Sequence, residues 1–504
     1  MHFVCNADVW MQGEVVGEGA PTGLGCRYAA WMPRRGMDAP TGHLPRPIVV
    51  GLGPAGLFAG LVLALRGLCP LVLERGAPIA ERQKDVQDFR RTRVLNPHSN
   101  VQFGEGGAGT FSDGKLNTGI KSPLCRQVLE ELVLHGAPPD ILVNAKPHIG
   151  TDKLGAVVQA IREEIIRLGG EVRFHTALER LIIANNSIHG VVLSSGEELE
   201  CDAVFLCIGH SARDTVTSLL SQGVKMQAKP FSVGVRIEHK REWIDKAQYG
   251  SFAGHPALGA ADYKMATHPE GSAARADSQK PPAAVGHGYS LVPGRGAYTF
   301  CMCPGGTVVC AASEPGGMVV NGMSEYARNG ENSNSAILVG VQPLPSAATD
   351  ALAGLRLQRE LEQNAFVLGG GSYAAPAQTV GDFLADKASV GFGAVEPTCT
   401  TGVVPCNIAP IFPAPIVQTL RGAIPAMGRL LRGFDAPDAV LTAPESRSSS
   451  PVRILRDENG VSNILGLYPV GEGAGYAGGI VSAAVDGVKA ALSYNAQHQQ
   501  KMNP

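Results

Sequence analysis

The stretch Ile48-Val49-Val50-Gly51-Leu52-Gly53-Pro54-Ala55-Gly56 decides the fold of this chain. An apolar run leads into three glycines at the G-x-G-x-x-G spacing, a helix-like segment follows at 57–66, and a second apolar run ends on Glu74. This order of strand, turn, helix, strand and acid is typical of a dinucleotide-binding βαβ unit. We expect Gly51 to make the sharp turn, Gly53 to let the backbone approach a pyrophosphate, and Gly56 to allow close helix–strand packing.

The helix after the glycines and the acid after the second strand complete this prediction. The first N–H groups of a helix have no partner within the helix and carry partial positive charge, so they bind phosphate. Glu74 stands 18 positions after Gly56, where an acid bonds a ribose hydroxyl. The predicted nucleotide-binding residues of this unit are Gly51, Gly53, Pro54, Ala55, Gly56, Glu74 and Arg75.

The same region raises the question of a membrane span. Residues 47–65 contain no charged residue and are long enough to cross a bilayer. However, three glycines and a proline within six residues suit a strand, a turn and a helix better than a spanning helix. We therefore expect no membrane span.

Composition bounds the class of protein and its partners. The 504 residues are 44% hydrophobic and 17% charged, which is typical of a soluble globular protein of two or three domains. A net charge of −2 gives no electrostatic reason to expect a nucleic-acid partner. Eleven scattered cysteines, an odd number in a large chain, favour a reducing intracellular compartment, with cytoplasm and plastid both open. Composition leaves the oligomeric state open.

The rest of the pattern predicts alternating helices and strands. We expect strands at 171–193, joined by a turn at Asn185-Asn186, a buried strand at 202–209, and an antiparallel sheet including 232–238 and 298–313. The glycine-rich residues 104–115 read as a loop at a ligand, and 268–288 as a mobile surface insertion. Helices are expected at 80–92, 154–168, 352–369, 416–431 and 479–492.

Three predicted strands run into glycines, at Gly51, Gly209 and Gly471. Ligands of doubly wound sheets bind at the carboxyl ends of the strands, where such loops converge. The layout resembles the glutathione-reductase-type FAD fold, an α/β Rossmann domain with an inserted α+β substrate domain. We expect a flexible extension at 1–44, the FAD-binding domain at 45–215 and 455–504, and the inserted substrate or cap domain at 216–454.

Five further motifs carry a more specific resemblance. They are NPHSNVQFGEGG at 96–107 with DGKLNT at 113–118, GHSARDT at 209–215, FCMCPGG at 300–306, ESRSSSPVR at 445–453, and GEGAGYAGGI at 471–480. Over residues 45–490 the chain resembles the uncharacterised FAD-dependent dehydrogenases of bacteria and plastid-bearing eukaryotes. Members of that family usually have a folded N-terminal domain, for which 44 residues are too few. The segment 268–288 is also extra.

The resemblance implies FAD and a redox role, without naming a substrate. It implies that Glu472, where the fold usually has Asp, holds the ribityl chain and that the next helix points its N-terminus at the flavin ring. The glycine-rich loop is expected to line the ring through its backbone. The residues expected at the cofactor are Gly106, Gly107, Gly109, Thr110, Gly209, Gly471, Glu472, Gly473, Ala474, Gly479 and Ile480.

Four side chains are candidates for chemistry. Lys115 is either a cation near reduced flavin or a surface lysine paired with Asp113. Arg447, like Arg453, either clamps an anionic substrate or forms an ion pair that joins the two domains.

Cys301 and Cys303 lie two apart on a predicted strand, hence on one face, and are either a redox-active pair or two small buried residues. The dispersed histidines predict no metal site.

The leading hypothesis is an FAD-dependent dehydrogenase or reductase that moves a hydride between flavin and a small molecule at the domain junction. The chain has only one complete G-x-G-x-x-G with its acid, so NAD(P)H, if it reduces the flavin, binds transiently at the substrate face. Two alternatives stay open: NAD(P)H-fed electron transfer to a protein or quinone, and a low-turnover flavin-binding redox sensor.

Overall fold

The computed structural model describes residues 46–268, 282–347 and 349–502, with the backbone alone at 499–502. The predicted extension at 1–44 lies outside the described residues, as does most of the predicted insertion.

A five-stranded parallel sheet contains the strand Ile48–Val50, which leads into the first glycine loop. Its strand order is β20-β7-β1-β2-β3, so the three strands that run into Gly51, Gly209 and Gly471 are neighbours, as predicted. The five strands are β1 Ile48–Val50, β2 Leu71–Leu73, β3 Glu171–Arg173, β7 Val204–Leu206 and β20 Leu467–Pro469.

Apolar side chains cover both faces of this sheet. Val49 and Phe205 point into a core with the helices, whereas their neighbours Val50 and Leu206 point into a second core against a small antiparallel sheet, as the alternation of a strand requires. The small sheet consists of β4 Leu178–Ala184, β5 Ser187–Leu193 and β6 Glu198–Glu200. The helices are α1 Pro54–Leu65, α3 Leu124–Leu134, α4 Thr151–Arg167 and α10 Ile480–Met502.

A second, eight-stranded sheet is mainly antiparallel and is centred on two long strands. Here β15 Asn332–Pro343 pairs with β9 Phe231–Lys240 over ten residue pairs, and β16 pairs with β17 in parallel. The other strands are β10 Ala284–Gly286, β11 Tyr289–Leu291, β12 Ala297–Cys303, β16 Ala375–Thr379, β17 Val403–Pro405 and β18 Val440–Glu445.

Helices pack on the second sheet and form the largest apolar core. Side chains of α7 Ala353–Leu368 and α9 Ala414–Leu430 lie in one cluster with those of β9 and β15. The remaining elements are α2 Ile79–Thr92, α5 Arg213–Ser221, α6 Arg241–Tyr249, α8 Val380–Leu384 and the strand pairs β8 Met226–Ala228 with β19 Val452–Ile454 and β13 Thr307–Cys310 with β14 Val320–Met323.

Most predicted elements are present, with shifts of a few residues at their ends. Asn185 and Asn186 both have positive φ in the β4–β5 turn, as two asparagines there predict. The predicted mobile insertion at 268–288 is wrong at its C-terminal end, because 284–286 form strand β10 of the second sheet. The fold is mixed α/β; its glutathione-reductase type and the three boundaries at 44/45, 215/216 and 454/455 stay predictions.

Residues 47–65 form β1, the glycine turn and α1. Within the described parts of the chain, no helix is both long and apolar enough to cross a membrane.

The close packing of α10 on α1 leaves no room for a side chain at Gly487. A Cβ at Gly487 would lie 2.1 Å from the carbonyl oxygen of Ala55, whereas one at Gly422, exposed in α9, would meet nothing within 4 Å. We expect Gly487→Ala to destabilise the protein by about 1–3 kcal/mol through overpacking. Gly422→Ala, the matched control, should stabilise it by about 0.5–1 kcal/mol. Thermal unfolding of both variants checks this, and equal shifts would contradict the packing.

Candidate functional site

One cavity lies where the loops of the parallel sheet meet the second sheet. Its wall contains the loops that follow β1, β2, β7 and β20, together with residues of the long segment between β7 and β20. The latter include Phe300, Cys301, Asn321, Glu445 and Arg447. Among the predicted cofactor residues, those that line the cavity are Gly51, Gly53, Pro54, Ala55, Glu74, Arg75, Gly107, Gly109, Gly209, Glu472, Gly479 and Ile480.

The three glycines of the first loop have different surroundings. A Cβ at Gly51 would lie 2.5 Å from the Cys207 carbonyl oxygen, and one at Gly56 would lie 1.8 Å from the Gly51 carbonyl oxygen. A Cβ at Gly53 would meet only Gly107 Cα, at 3.7 Å. The protein's own packing therefore requires Gly51 and Gly56, whereas the space left at Gly53 belongs to the cavity.

The carboxylate of Glu74 braces two loops. It is buried at the cavity wall and accepts hydrogen bonds from the N–H groups of Leu52 (2.8 Å), Gly76 (2.9 Å) and Gly104 (3.0 Å). The first glycine loop and the loop before residue 107 are thus tied to one side chain. Contact of Glu74 with a ribose stays a prediction.

Arg82 holds the glycine-rich loop from behind. Its buried guanidinium donates to the carbonyl oxygens of Asn100 (2.9 Å), Val101 (3.1 Å), Gly104 (3.3 Å) and Glu105 (2.6 Å). Burial lowers its pKa to about 10, which still leaves it charged at neutral pH. Sequence reasoning missed this role, because an arginine in an amphipathic helix reads as a surface residue.

Two predicted residues of this loop lie behind the cavity wall. Gly106 donates its N–H to the Leu52 carbonyl (2.9 Å), and the Thr110 hydroxyl donates to the Glu105 carbonyl (3.3 Å). The loop contains a short 3₁₀ turn, Gly107–Phe111, which brings Gly107 and Gly109 to the cavity. Gly106 and Thr110 therefore shape the loop.

The loop after β20 is held by a partly buried ion pair. Asp486 of α10 accepts from the N–H of Gly471 (2.7 Å) and from Arg456 (2.7 and 2.9 Å). Gly471, Gly473 and Ala474 do not line the cavity; a Cβ at Gly473 would lie 2.4 Å from the Gly209 carbonyl oxygen. This loop presents Glu472, with His210 Nδ1 3.5 Å from its carboxylate.

Lys115 lines the cavity and pairs with Asp113, as one interpretation of this lysine predicts; its closeness to reduced flavin stays a prediction. Its Nζ lies 3.2 Å from Asp113, donates to the Met302 carbonyl and lies 4.0 Å from Cys303 Sγ. Burial lowers the pKa of Lys115, but the sulfurs of Cys303 and Cys301 and the Asp113 carboxylate outweigh it and raise the pKa to about 12. Lys115 is therefore a fixed positive charge in the wall of the cavity.

Arg447 is held by protein groups on every nitrogen. Its guanidinium donates two hydrogen bonds to Glu362 (2.9 and 2.7 Å), and Nη1 donates to Ser211 (3.1 Å) and Ser313 (2.6 Å). Arg213, at the start of α5, donates to the same Glu362 carboxylate (2.8 and 2.9 Å). This geometry favours the ion pair that joins the two sheets over an anion clamp.

Cys301 and Cys303 are in contact, although the predicted regular strand is wrong between them. Phe300 pairs with Ala336 and Cys303 with Asn334, so β12 has one extra residue here, and Cys301 has a φ of 45°. Cys301 lines the cavity and Cys303 lies directly behind it. The bulge, and not the alternation of a regular strand, therefore brings the two cysteines together.

Several cavity residues carry no signal that sequence reasoning could have used. His210 follows the Gly209 strand end and was quoted only as part of a motif. Asn321 lies on β14 of the two-stranded β13–β14 sheet, with no local pattern that marks it, and Glu445, on β18 of the second sheet, was likewise quoted only as part of a motif. Within the described residues no group of three or more His, Cys, Asp or Glu side chains is placed to hold a metal ion.

The fold and the cavity define a protein that binds a dinucleotide. The N-terminus of α1 begins at a glycine with no side-chain cap, so its first N–H groups are open to a phosphate. The missing Cβ of Gly53 leaves room for it, and apolar and backbone surface lines the rest of this end. These residues fit FAD.

Comparison with known proteins identifies the family. The sequence model of the family described as "FAD-dependent protein, C-terminal domain-like" matches residues 230–448. An uncharacterized protein of Clostridium beijerinckii is 47% identical over 447 residues, which cover 88% of this chain and 80% of the relative. The chain belongs to this family of FAD-dependent proteins, and its cofactor is FAD.

Solved structures are more distant. CtdE in complex with FAD is 11% identical and covers 90% of this chain and 84% of its own, with a TM-score of 0.31. A variant of the E. coli quinol fumarate reductase subunit FrdA is 11% identical, covers 91% and 73%, and has a TM-score of 0.35. At these scores neither superposition establishes a shared overall fold.

Gly53 offers a clean test of the cofactor site. In Gly53→Ala the new methyl group meets no protein backbone closely, so the fold should keep its stability, while the methyl occupies space at the pyrophosphate. We expect FAD affinity to fall roughly tenfold to hundredfold, measured by fluorescence titration of the FAD-free protein. The Tm of that protein should not change. Unchanged FAD affinity would contradict the assignment of this loop.

The Glu362 carboxylate predicts a specific acid sensitivity. Burial raises its pKa, but Arg213 and Arg447 outweigh burial and lower it far below the ordinary 4.5. A carboxyl whose pKa is depressed by folding contributes stability above about pH 4.5 and loses that contribution as the pH falls. We expect Glu362→Gln to be about 3–5 kcal/mol less stable than wild type at pH 7, and the gap to shrink below pH 4.5.

Denaturant unfolding at a series of pH values measures this gap. The control is Glu179→Gln, an exposed carboxylate on β4, which should follow the wild-type pH profile. A gap between Glu362→Gln and wild type that is constant with pH would show that Glu362 is not the titrating group.

Proposed function

We propose that this protein is an FAD-dependent oxidoreductase, a dehydrogenase or reductase, that moves a hydride between flavin and a small molecule. One observation carries the proposal. A single cavity is lined at one end by the glycine loop of the parallel sheet and at the other by polar side chains from the second sheet. A cofactor and a reactant would meet in such a cavity without a further domain.

The residues divide the work of binding the cofactor. Gly53 and the N-terminus of α1 would hold the pyrophosphate, Glu74 the adenosine ribose, and Glu472 the ribityl chain. Gly107, Gly109 and Ile480 would line the ring. Bound FAD supplies the two-electron chemistry, and the chain supplies orientation and charge around it.

Lys115 would place a positive charge beside the reduced ring. Its pKa of about 12 keeps it protonated at every physiological pH, and its contacts with Asp113 and the Met302 carbonyl fix the ammonium in place. A fixed cation stabilises negative charge that develops on the reduced flavin. This would favour flavin reduction without a proton transfer from Lys115.

Reduction by NAD(P)H would use the same cavity. The other glycine cluster, residues 369–371, follows helix α7 where a nicotinamide-binding unit would require a strand, so it does not form a second dinucleotide site. A nicotinamide would have to bind transiently at the end lined by Phe300, Cys301 and Asn321.

Anaerobic titration of the FAD-loaded protein with NADPH and with NADH tests the donor. Loss of the visible flavin absorbance is expected with one of the two, because the cavity extends beyond the cofactor loops to Phe300, Cys301 and Asn321. Flavin that stays oxidised with both but is bleached by an organic substrate would assign a dehydrogenase that takes electrons from that substrate. A protein that binds FAD and catalyses no reduction with any donor would contradict the enzyme proposal and leave the sensor.

A further inference from the structure

The segment Cys301-Met302-Cys303 is built in a way that a buried strand does not require. The bulge in β12 inserts one extra residue opposite β15, and bulges next to functional sites redirect a side chain. Cys301 takes the left-handed conformation, with φ 45°, which a cysteine rarely adopts. The result is that Cys301 lines the cavity while Cys303 stays buried beside it.

Two cations hold this segment. Arg236, fully buried, donates to the Cys301 carbonyl (3.3 Å) and is itself paired with Glu445 (2.6 Å). Lys115 donates to the Met302 carbonyl and lies 4.0 Å from Cys303 Sγ. Both carbonyls of the bulge are therefore fixed, and positive charge surrounds the two sulfurs.

The electrostatics favour a thiolate at Cys301. A hydrogen bond from the Cys303 thiol, together with Lys115 and Arg236, holds the pKa of Cys301 well below its usual range against the effect of burial. The same hydrogen bond and burial raise the pKa of Cys303, so one sulfur is the anion and the other keeps the proton. By contrast, burial raises the pKa of Cys207, which lines the same cavity without a partner thiol.

We propose that Cys301 and Cys303 form a dithiol–disulfide pair that exchanges two electrons with the flavin and serves a disulfide or dithiol substrate. This inference rests on the proposed function and extends it by naming the substrate class. The observation behind it is a cavity-lining cysteine whose carbonyl oxygen accepts from the thiol of a second cysteine (3.4 Å), with the segment held by Lys115 and Arg236, in the cavity that holds the FAD loops.

The exchange balances in atoms and electrons. When the dithiol is oxidised, a bond forms between the two sulfurs, the remaining S–H proton is lost, and two electrons pass to oxidised flavin, which takes up one proton on reduction. In the other direction two electrons and one proton would pass from the reduced cofactor to the pair, the S–S bond would break, and one thiolate and one thiol would be restored. A substrate disulfide would then be reduced by thiolate attack of Cys301 on one sulfur, followed by attack of Cys303, so that one substrate thiolate and one substrate thiol leave and the pair is again oxidised.

Electron counting tests the pair in the holoprotein. Air-oxidised wild type, titrated anaerobically with dithionite, should take up two electrons per flavin beyond those that the flavin itself needs. The double variant Cys301→Ser with Cys303→Ser should take up only the flavin's electrons. The control Cys125→Ser, a half-buried free cysteine on α3, should behave as wild type. Equal uptake in wild type and the double variant would overturn the proposal.

A second readout needs neither a variant nor turnover. The unreduced and the reductant-treated wild-type protein are unfolded, alkylated and examined by mass spectrometry. Cys301 and Cys303 should react only after reduction, while Cys125 reacts in both samples. Alkylation of both cysteines without reductant overturns the pair even where FAD binds and is reduced, in which case the oxidoreductase proposal still stands. A protein that protects the pair from alkylation but does not bind FAD would refute the proposed function and the electron exchange with flavin together, and would leave only the disulfide.

Discussion

The carboxylate of Glu362, held between Arg213 and Arg447, is the interaction on which the rest of the site depends. Arg213 begins the helix after β7 of the parallel sheet, Arg447 follows β18 of the second sheet, and Glu362 lies on α7. All three side chains are buried, and the Ser446 hydroxyl donates a further hydrogen bond to the carboxylate (2.7 Å). Two guanidinium groups around one carboxylate leave an excess of buried positive charge, which Glu314 reduces through its contact with Arg213 (2.6 Å). Because losing any member would leave a charge buried without its partner, the network fixes how the two sheets meet.

The cavity at this junction has two chemically different ends. The end formed by the parallel sheet presents mainly backbone: glycines, helix N-termini and N–H groups, which suit phosphates and a flat ring. The other end presents side chains of the second sheet and its loops, among them Phe300, Cys301 and Glu445. The first end is the general part of a nucleotide-binding fold, so the second decides which reactant is accepted.

The sequence predicts the residues at the first end of the cavity better than those at the second. The glycine loop and its acid are local, because the turn, the helix start and the strand that form them are contiguous in the chain, so spacing alone predicted Gly51, Gly53 and Glu74 at the cavity. Residues 236, 301 and 445 come from three strands of the second sheet and residue 321 from the β13–β14 pair, all far apart in sequence, and no periodicity shows that they meet. The sequence also does not predict the bulge at Cys301, because the bulge arises from the register of β12 against β15. Arg447 was found as a candidate, but only the structure shows that its nitrogens are all taken by Glu362 and two serines.

Three carboxylates, Glu74, Glu105 and Asp486, hold the cofactor loops through backbone hydrogen bonds, a role that no sequence motif predicts. Each accepts a backbone N–H, from Leu52, Ile79 and Gly471 respectively, and so fixes a loop before any ligand arrives. Three anions near a pyrophosphate would repel it. Glu105 is paired with Arg162 (2.7 Å) and Asp486 with Arg456 (2.7 Å), while Glu74 accepts three N–H hydrogen bonds and lies within the field of Arg82. Loops that are ordered in advance and carry neutralised anions lose little entropy on binding, so more of the contact energy of the dinucleotide is retained as affinity.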